Sequence, residues 1–345
     1  MFGKKKDILG IDIQKNVVRY CMLHNGKWKY GEKIGNGSFF KDNGVKNKEA
    51  LREILHDIFA EIHIRSPHIV ISVLNSKLLI RQIPLRDMGT EKEIREFLFF
   101  ELGESIPLPF EEPIFDLLIL DRPTPKKQQS SRLKKNTKAP SHQKNVKIKT
   151  IKRNRFAVNG KVPVVITSEP LLEEIGDTIQ KGGGHLSGVD FSALAYTRAL
   201  KRNIQWGESF ALVEIDSGEA TITIFEKFVP IYVQYEAYNQ VNWRYQEIKG
   251  KIVPEFKGEM ESLTQLGETI RNLIHYFESE ISLNSKVSRI YLVGGHPHLK
   301  REVSEIIQKQ NSIPVSVPAM PYTLRNQKTL PHRFLLAASL SMKEV

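Results

Sequence analysis

Cysteine is nearly absent. One residue, Cys21, occurs in 345, so no internal disulfide is available and no zinc site can be built on thiolates. Its place in an alternating strand reads as a small buried hydrophobe rather than a reactive thiol. Long apolar runs are also missing: the longest, such as Val162 to Ile166 and Phe334 to Ala338, fall far below the roughly 18–20 residues that cross a bilayer as a helix. Met1 to Lys6 carries three lysines, but Asp7-Ile8-Leu9-Gly10-Ile11-Asp12 follows, and its carboxylates leave no unbroken signal-peptide core. The expectation is a cytoplasmic chain.

Acidic residues are missing from one stretch only. Between Arg122 and Ser168 there are 14 Lys or Arg and no Asp or Glu, which leaves 37 basic residues against 39 acidic ones in the remainder. The net charge of +12 therefore belongs to a segment from about Pro123 to Arg155 and not to the folded body. Like charges without apolar periodicity cannot offset the entropy of ordering, so a disordered basic loop at 123–155 is expected. A solvated loop is its first reading. Attraction to an anionic membrane surface, about 1 kcal/mol per basic residue near the lipid, is the second. Nucleic acid comes third, because no Phe, Tyr or Trp is interleaved before Phe156.

What is present alternates strand and helix periods over a length that favours more than one lobe. Ile8 to Leu23 reads as strand, tight turn, strand, and Gly26 turns the next hairpin. Leu51, Ile54, Leu55, Ile58, Phe59 and Ile62 recur at helical spacing, and Pro67 ends that helix. His68–Leu74 and Lys77–Pro84 read as a further strand pair. Thr90, followed by Glu91 and Glu93, caps a helix over Lys92–Ile106 that stops at Pro107. Pro113–Leu120 and Val162–Ser168 read as a hairpin flanking the basic loop. Glu169–Ile179 and Ser192–Arg202 are helical, with a break at Gly182-Gly183-Gly184. The opening move then recurs: strands Phe210–Ile215 and Ala220–Pro230 around a polar turn. A long helix Leu263–Ser282, strand Arg289–Val293 and helix Leu299–Gln310 follow.

Three turns carry the functional reading: Ile11-Asp12-Ile13-Gln14-Lys15-Asn16, Glu214-Ile215-Asp216-Ser217-Gly218 and Leu292-Val293-Gly294-Gly295-His296. Carboxylates at strand ends can hold a hydrated magnesium ion, turn N–H groups can cradle phosphate, and glycines let backbone approach a nucleotide without a Cβ. Each alone is an ordinary turn. In this order and at lobe-scale separation they resemble the actin, sugar-kinase and heat-shock chaperone superfamily, which implies a two-lobed actin-like (ribonuclease H-like) α/β fold. The candidate cofactor residues are Asp12, Gln14, Lys15, Asn16, Glu214, Asp216, Ser217, Gly218, Gly294, Gly295 and His296, with Asp12 and Asp216 as magnesium ligands if a nucleotide binds. Lys15 has two readings: it neutralises phosphate, or it fills the cleft by pairing with Asp216 or Glu214. His296 and His298 flank Pro297 with no metal-spaced partner, the 182–184 glycines lack the lysine of a P-loop, and no nucleophile–base arrangement is recognisable.

The stretch from Val70 to Leu120 resembles the PilM family of type IV pilus assembly proteins. It has Ser72-Val73 in a strand, Ile83-Pro84-Leu85 with Met88 beyond, an acidic and apolar helix ending in Ser105-Ile106-Pro107, and Glu111-Glu112 before Phe115-Asp116. Ile270-Arg271-Asn272-Leu273 and Tyr291-Leu292-Val293-Gly294-Gly295 extend the resemblance. It implies an FtsA-like inserted subdomain at 82–166, a first lobe made of 1–81, 167–205 and 331–345, and a second lobe at 206–330. It also implies a cytoplasmic scaffold at the inner face of the membrane. That scaffold would bind the N-terminal tail of a PilN-like single-span membrane protein, link it to a motor ATPase, and have the capacity to self-associate. Leu79, Ile80, Arg81, Ile83, Leu85, Phe97, Leu98 and Glu101 are nominated for the tail.

The departures concern the cofactor. Gln14-Lys15-Asn16 stands where the family has glycine and small hydroxyl residues. Glu214-Ile215-Asp216 replaces a glycine by a carboxylate unless Asp216-Ser217-Gly218 is the matching turn. Ser339-Leu340-Ser341-Met342-Lys343 lacks the family's late glycine. ATP and Mg are therefore expected to bind weakly or not at all. Two rival readings remain: an active actin-like ATPase or small-molecule kinase, and a membrane-surface or nucleic-acid binder acting through the basic loop.

Overall fold

The computed structural model describes residues 7–41, 44–85, 88–110, 112–118, 160–216, 218–226, 228–238, 243–249, 251–256, 260–282, 285–325 and 327–344. The expected basic loop, 123–155, lies outside the described residues, as does Ser217.

The chain opens with a hairpin of β1 (Ile8–Ile13) and β2 (Val17–His24), continued by β3 (Lys27–Ile34). A two-residue ribbon, β4 (Phe40–Lys41) and β5 (Gly44–Val45), leads into α1 (Lys48–Ile62) and β6 (His68–Ser72). An insert follows, made of β7 (Leu79–Pro84), α2 (Glu91–Glu101), β8 (Pro113–Leu117) and β9 (Lys161–Ser168). The chain then returns through α3 (Glu169–Lys181), β10 (His185–Asp190) and α4 (Ser192–Ala199). A second unit comprises β11 (Ser209–Asp216), β12 (Glu219–Glu226), β13 (Val229–Ala237), a hairpin of β14 (Trp243–Ile248) and β15 (Lys251–Phe256), and α5 (Met260–Tyr276). It ends with β16 (Val287–Val293), α6 (Ser304–Gln310) and β17 (Val315–Ser316), before α7 (Leu335–Ser341) closes the chain.

The two large sheets repeat one plan. Their orders are β10-β6-β1-β2-β3 and β13-β12-β11-β16-β17. In each, an opening hairpin pairs antiparallel (Asp12↔Arg19; Glu214↔Thr221) while a later strand lies parallel beside its first member (Leu9↔Ile69; Val213↔Leu292). Strands β1 and β11 are buried along their whole length, because helices cover both faces of the sheets. This is the expected two-lobed actin-like α/β fold with a small inserted subdomain. The insert is a separate sheet of order β7-β9-β8 over its own core, in which Ile83, Ile94, Leu98, Val162, Val164 and Ile166 are buried. Its strands run from residue 79 to residue 168, so the boundaries drawn at 82 and 166 fall inside β7 and β9.

Local signals explain the helix ends. Asn47 caps α1 by accepting from the Ala50 N–H at 3.1 Å, and the six apolar residues of the helical pattern are its buried ones. Thr90 and Glu93 form a reciprocal capping box on α2. That helix ends at Glu101 rather than Ile106, because Gly103 turns at φ +90°. Strands β6 and β7, read as a pair, belong to different sheets: β6 lies between β1 and β10, and β7 pairs with β9. The hairpin β14–β15 had no counterpart in the sequence reading. Among the described residues, no helix is long and apolar enough to cross a membrane.

Helix α7 brings the C-terminal segment onto β1 and β2. The approach is close enough that a Cβ on Gly10 would collide with the Ala337 carbonyl oxygen and lie 2.5 Å from the Ser341 nitrogen. Gly10→Ala is expected to cost about 1–3 kcal/mol of stability. Gly207→Ala, where a Cβ meets nothing within 4 Å, should stay within about 0.5 kcal/mol of the parent. Urea unfolding of the two variants checks the contrast.

Candidate functional site

The three sequence turns converge between the lobes. Asp12 (β1), Glu214 and Asp216 (β11) and His296 are buried, and the turn after β16 places Gly294 and Gly295 against the end of β11. Gly294 has φ +111°, and a Cβ there would strike the Ile215 carbonyl oxygen. The glycine lets β16 pass the neighbouring strand. The Gly295 N–H donates to Asp216 Oδ1 at 3.0 Å, and the His296 N–H donates to the Ile215 carbonyl at 3.3 Å. The His298 N–H donates to His296 Nδ1 at 3.0 Å, which fixes that nitrogen as an acceptor. Gly218, at φ +75°, turns β11 into β12.

The centre of the convergence is a residue the sequence reading did not single out. Arg19, on β2, is 1% exposed. Its Nη1 lies 3.4 Å from Asp12 Oδ2 and 3.3 Å from Asp216 Oδ1, and its Nε lies 3.5 Å from Glu32 Oε2 on β3. Arg333 in turn holds Glu32 Oε1 through Nε and Nη2, each at 2.9 Å. The cation that reaches Asp216 is thus Arg19, not Lys15. Lys15 is exposed on the first turn and acts electrostatically on Glu219. Within that turn the Gln14 N–H donates to the Val17 carbonyl at 2.8 Å, Asn16 O accepts from the Gly35 N–H at 2.8 Å, and Gln14 Nε2 donates to Asp12 Oδ1 at 2.6 Å.

Glu214 forms a second junction. Its carboxylate accepts from Asn75 Nδ2 at 2.8 Å, Ser192 Oγ at 2.7 Å and the Tyr196 hydroxyl at 3.1 Å. It faces the first lobe and not a phosphate. Burial pushes its pKa up to about 7, with Asp12 adding repulsion and the three donors opposing it. Burial likewise raises Asp12, against the pull of Arg19, and raises Asp216, where Asp12 and Glu214 add to the effect. Glu219 is raised for the same first cause.

These residues do not fit a magnesium nucleotide. A guanidinium stands between the two carboxylates that would share the metal, and the Gly295 N–H that would face phosphate is bonded to Asp216. Beside the first turn, Gln14, Lys15, Asn75 and Glu219 line a pocket of about 210 Å³ that Asp12 and Asp216 do not reach. Among the described residues, no three His, Cys, Asp or Glu side chains are grouped to hold a metal ion.

A larger groove of about 590 Å³ lies between the first lobe and the insert. One wall is β8, which among the described residues pairs with β9 on one side only. Leu118 N–H donates to the Pro163 carbonyl, so by antiparallel alternation the backbone groups of Phe115 and Leu117 point away from β9. The opposite wall carries Val189, Leu194 and an ion cluster in which Arg198 and Lys343 both hold Asp190. None of the eight residues nominated for a partner tail lines this groove. Leu79, Ile80, Arg81, Ile83 and Leu85 lie on or beside β7, against which β13 of the second lobe packs, and Ile80, Ile83 and Leu98 are buried. Phe97 and Glu101 are half-buried on α2, next to Phe99 and Phe100, which stand 75% and 70% exposed in edge-to-face contact.

No family model and no curated protein matches the chain. Among solved structures, it is similar to a PilM–PilN type IV pilus biogenesis complex, with a TM-score of 0.66, 14% identity, and 98% of this chain and 98% of that chain covered. It is also matched to the ethanolamine utilization protein EutJ of Carboxydothermus hydrogenoformans (TM-score 0.47, 12% identity, 97% and 88% covered). The cytoplasmic domain of EpsL, an inner membrane component of the type II secretion system of Vibrio cholerae, matches with a TM-score of 0.45, 10% identity, and 98% and 96% covered. The first of these shows that the chain shares its fold with a chain of the pilus complex.

The Glu214 junction sets a pH dependence. The folded chain retains a proton up to about pH 7 that the unfolded chain releases near 4.5. The stabilisation is therefore fully present below the unfolded value and is lost as pH rises through the folded one. Stability should fall by up to about 3 kcal/mol between pH 4.5 and 8 relative to Glu214→Gln, which lacks the titration. Denaturant unfolding of both proteins across that range measures the difference.

Proposed function

We propose that the chain is a scaffold of a type IV pilus or related assembly, which captures the N-terminal tail of a PilN-like membrane protein in the groove between first lobe and insert. The observation that carries the reading is the edge of β8, unpaired among the described residues, along a groove with apolar walls, in a chain that shares its fold with part of a PilM–PilN complex. An extended tail added to that edge would gain register from main-chain bonds to Phe115 and to the Leu117 carbonyl, the Leu117 N–H being held by Asp116 Oδ1 at 2.9 Å. Affinity would come from side chains set against Ile114, Val189 and Leu194. The tail-binding surface is accordingly assigned to β8 and its facing wall, with β7 and α2 supporting it from behind.

Nucleotide has a minor place in this reading. With Arg19 between Asp12 and Asp216, binding of ATP and Mg is weak or lost, and recruitment replaces turnover. The location at the inner face of the membrane follows from the partner, not from any spanning element.

The test is a fluorescence-anisotropy titration with a labelled peptide from the cytoplasmic N-terminus of the PilN-like protein of the same genome. Ile114→Lys places a charge in the groove. Phe115→Pro removes an edge N–H that β9 does not use. Each should weaken binding about tenfold or more, while Arg81→Ala on β7 leaves it unchanged. Binding insensitive to the first two variants contradicts the groove.

A further inference from the structure

We infer that Arg19 is a built-in cation standing where a nucleotide cleft holds its metal-bound phosphate, so that the chain closes its own lobes without a ligand. The argument rests on the cleft alone and is independent of the pilus reading.

Two carboxylates from opposite lobes, Asp12 and Asp216, come within reach of one guanidinium nitrogen at 3.4 and 3.3 Å. Without a cation between them they would repel across a water-poor interface. Glu214 is buried and Glu219 half-buried nearby, and each gains a raised pKa in part from Asp12. The acids thus form one interacting cluster spanning the lobes. Chemistry offers two ways to hold such a cluster together: a divalent ion with oxygen ligands, or a delocalised cation with several N–H donors. Arg19 is the second.

The surroundings are built for a side chain. Behind the guanidinium, Glu32 is anchored by Arg333, giving alternating charges from the half-exposed Arg333 to the buried Asp216. In front, Gly295 is needed by the arginine itself. A Cβ there would lie 2.7 Å from both Nη1 and Nη2 and would collide with Asp216 Oδ1. A glycine turn of the kind that admits a nucleotide admits a guanidinium here. The network is also continuous across the lobes, because Asp216 Oδ1 accepts both from Arg19 of the first lobe and from the Gly295 N–H of the second. Lobe position and arginine burial are therefore one equilibrium.

The test uses the full chain with fluorophores at Glu53→Cys in the first lobe and Glu261→Cys in the second; Cys21 is buried. Energy transfer in the parent should be the same with and without millimolar magnesium ATP. Transfer should drop in Arg19→Ala and in Asp216→Asn, and amides at the end of β11 and at Gly295 should exchange about a hundredfold faster. Manganese or magnesium alone should restore the lost transfer in Arg19→Ala, where the carboxylates are freed, and not in Asp216→Asn. The proposal is overturned if magnesium ATP moves the lobes of the parent, or if folded Arg19→Ala keeps the parent's transfer and exchange or ignores the metal. Should Arg19→Ala not fold, Asp216→Asn decides alone: parental transfer and exchange in it overturn the proposal, and their loss sustains it.

Discussion

A guanidinium taken out of water costs several kcal/mol, and the cost is met only where carboxylates meet it with good geometry. In this chain the carboxylates that bond Arg19 come from both lobes, Asp12 from the first and Asp216 from the second, with Glu32 of the first lobe at ion-pair distance from Nε, 3.5 Å. Each feature around the cleft follows from that requirement. The lobes must be closed for Asp216 to arrive, Gly295 must lack a side chain for the guanidinium to fit, and the turn at Gly294 must cross β11 tightly enough to bring Gly295 there. Glu214 adds a second interlobe junction in which Asn75, Ser192 and Tyr196 donate to a carboxylate that titrates near neutrality.

A cleft closed in this way changes what the fold can be used for. In a nucleotide-driven protein of two lobes, ligand binding shifts the lobe equilibrium by its differential affinity for the two states. Here that role is taken by a residue that cannot dissociate, so the body acts as a fixed support. The groove between first lobe and insert is walled on one side by β10 and α4, tied by Asp190 to Arg198 and Lys343, and on the other by β8, supported by β9 and α2. A preformed groove suits capture of an extended tail, because little ordering of the receptor opposes binding.

Much of the fold was legible because strand and helix periods and turn residues were consistent. The six apolar positions of α1, the Thr90 cap and the paired opening hairpins each carry a local signal. Partner strands carry none, which is why β6 and β7 were read as a pair although a short turn sends them into different sheets. The three turns were legible as a converging site; the residue at their focus was not. Arg19 has no role in the sequence reading. Its signal was present in the run Val17-Val18-Arg19-Tyr20-Cys21-Met22, since a strand apolar on both faces gives an arginine no route to water. The pairing with Asp216 spans 197 residues and no sequence period encodes it.

The most direct measurement is a crystal structure grown in excess magnesium ATP. The account predicts electron density for Arg19 between Asp12 and Asp216, with no nucleotide phosphates or metal in the cleft. Triphosphate and magnesium bound at Asp12 and Asp216, with the Arg19 side chain swung aside, would contradict it.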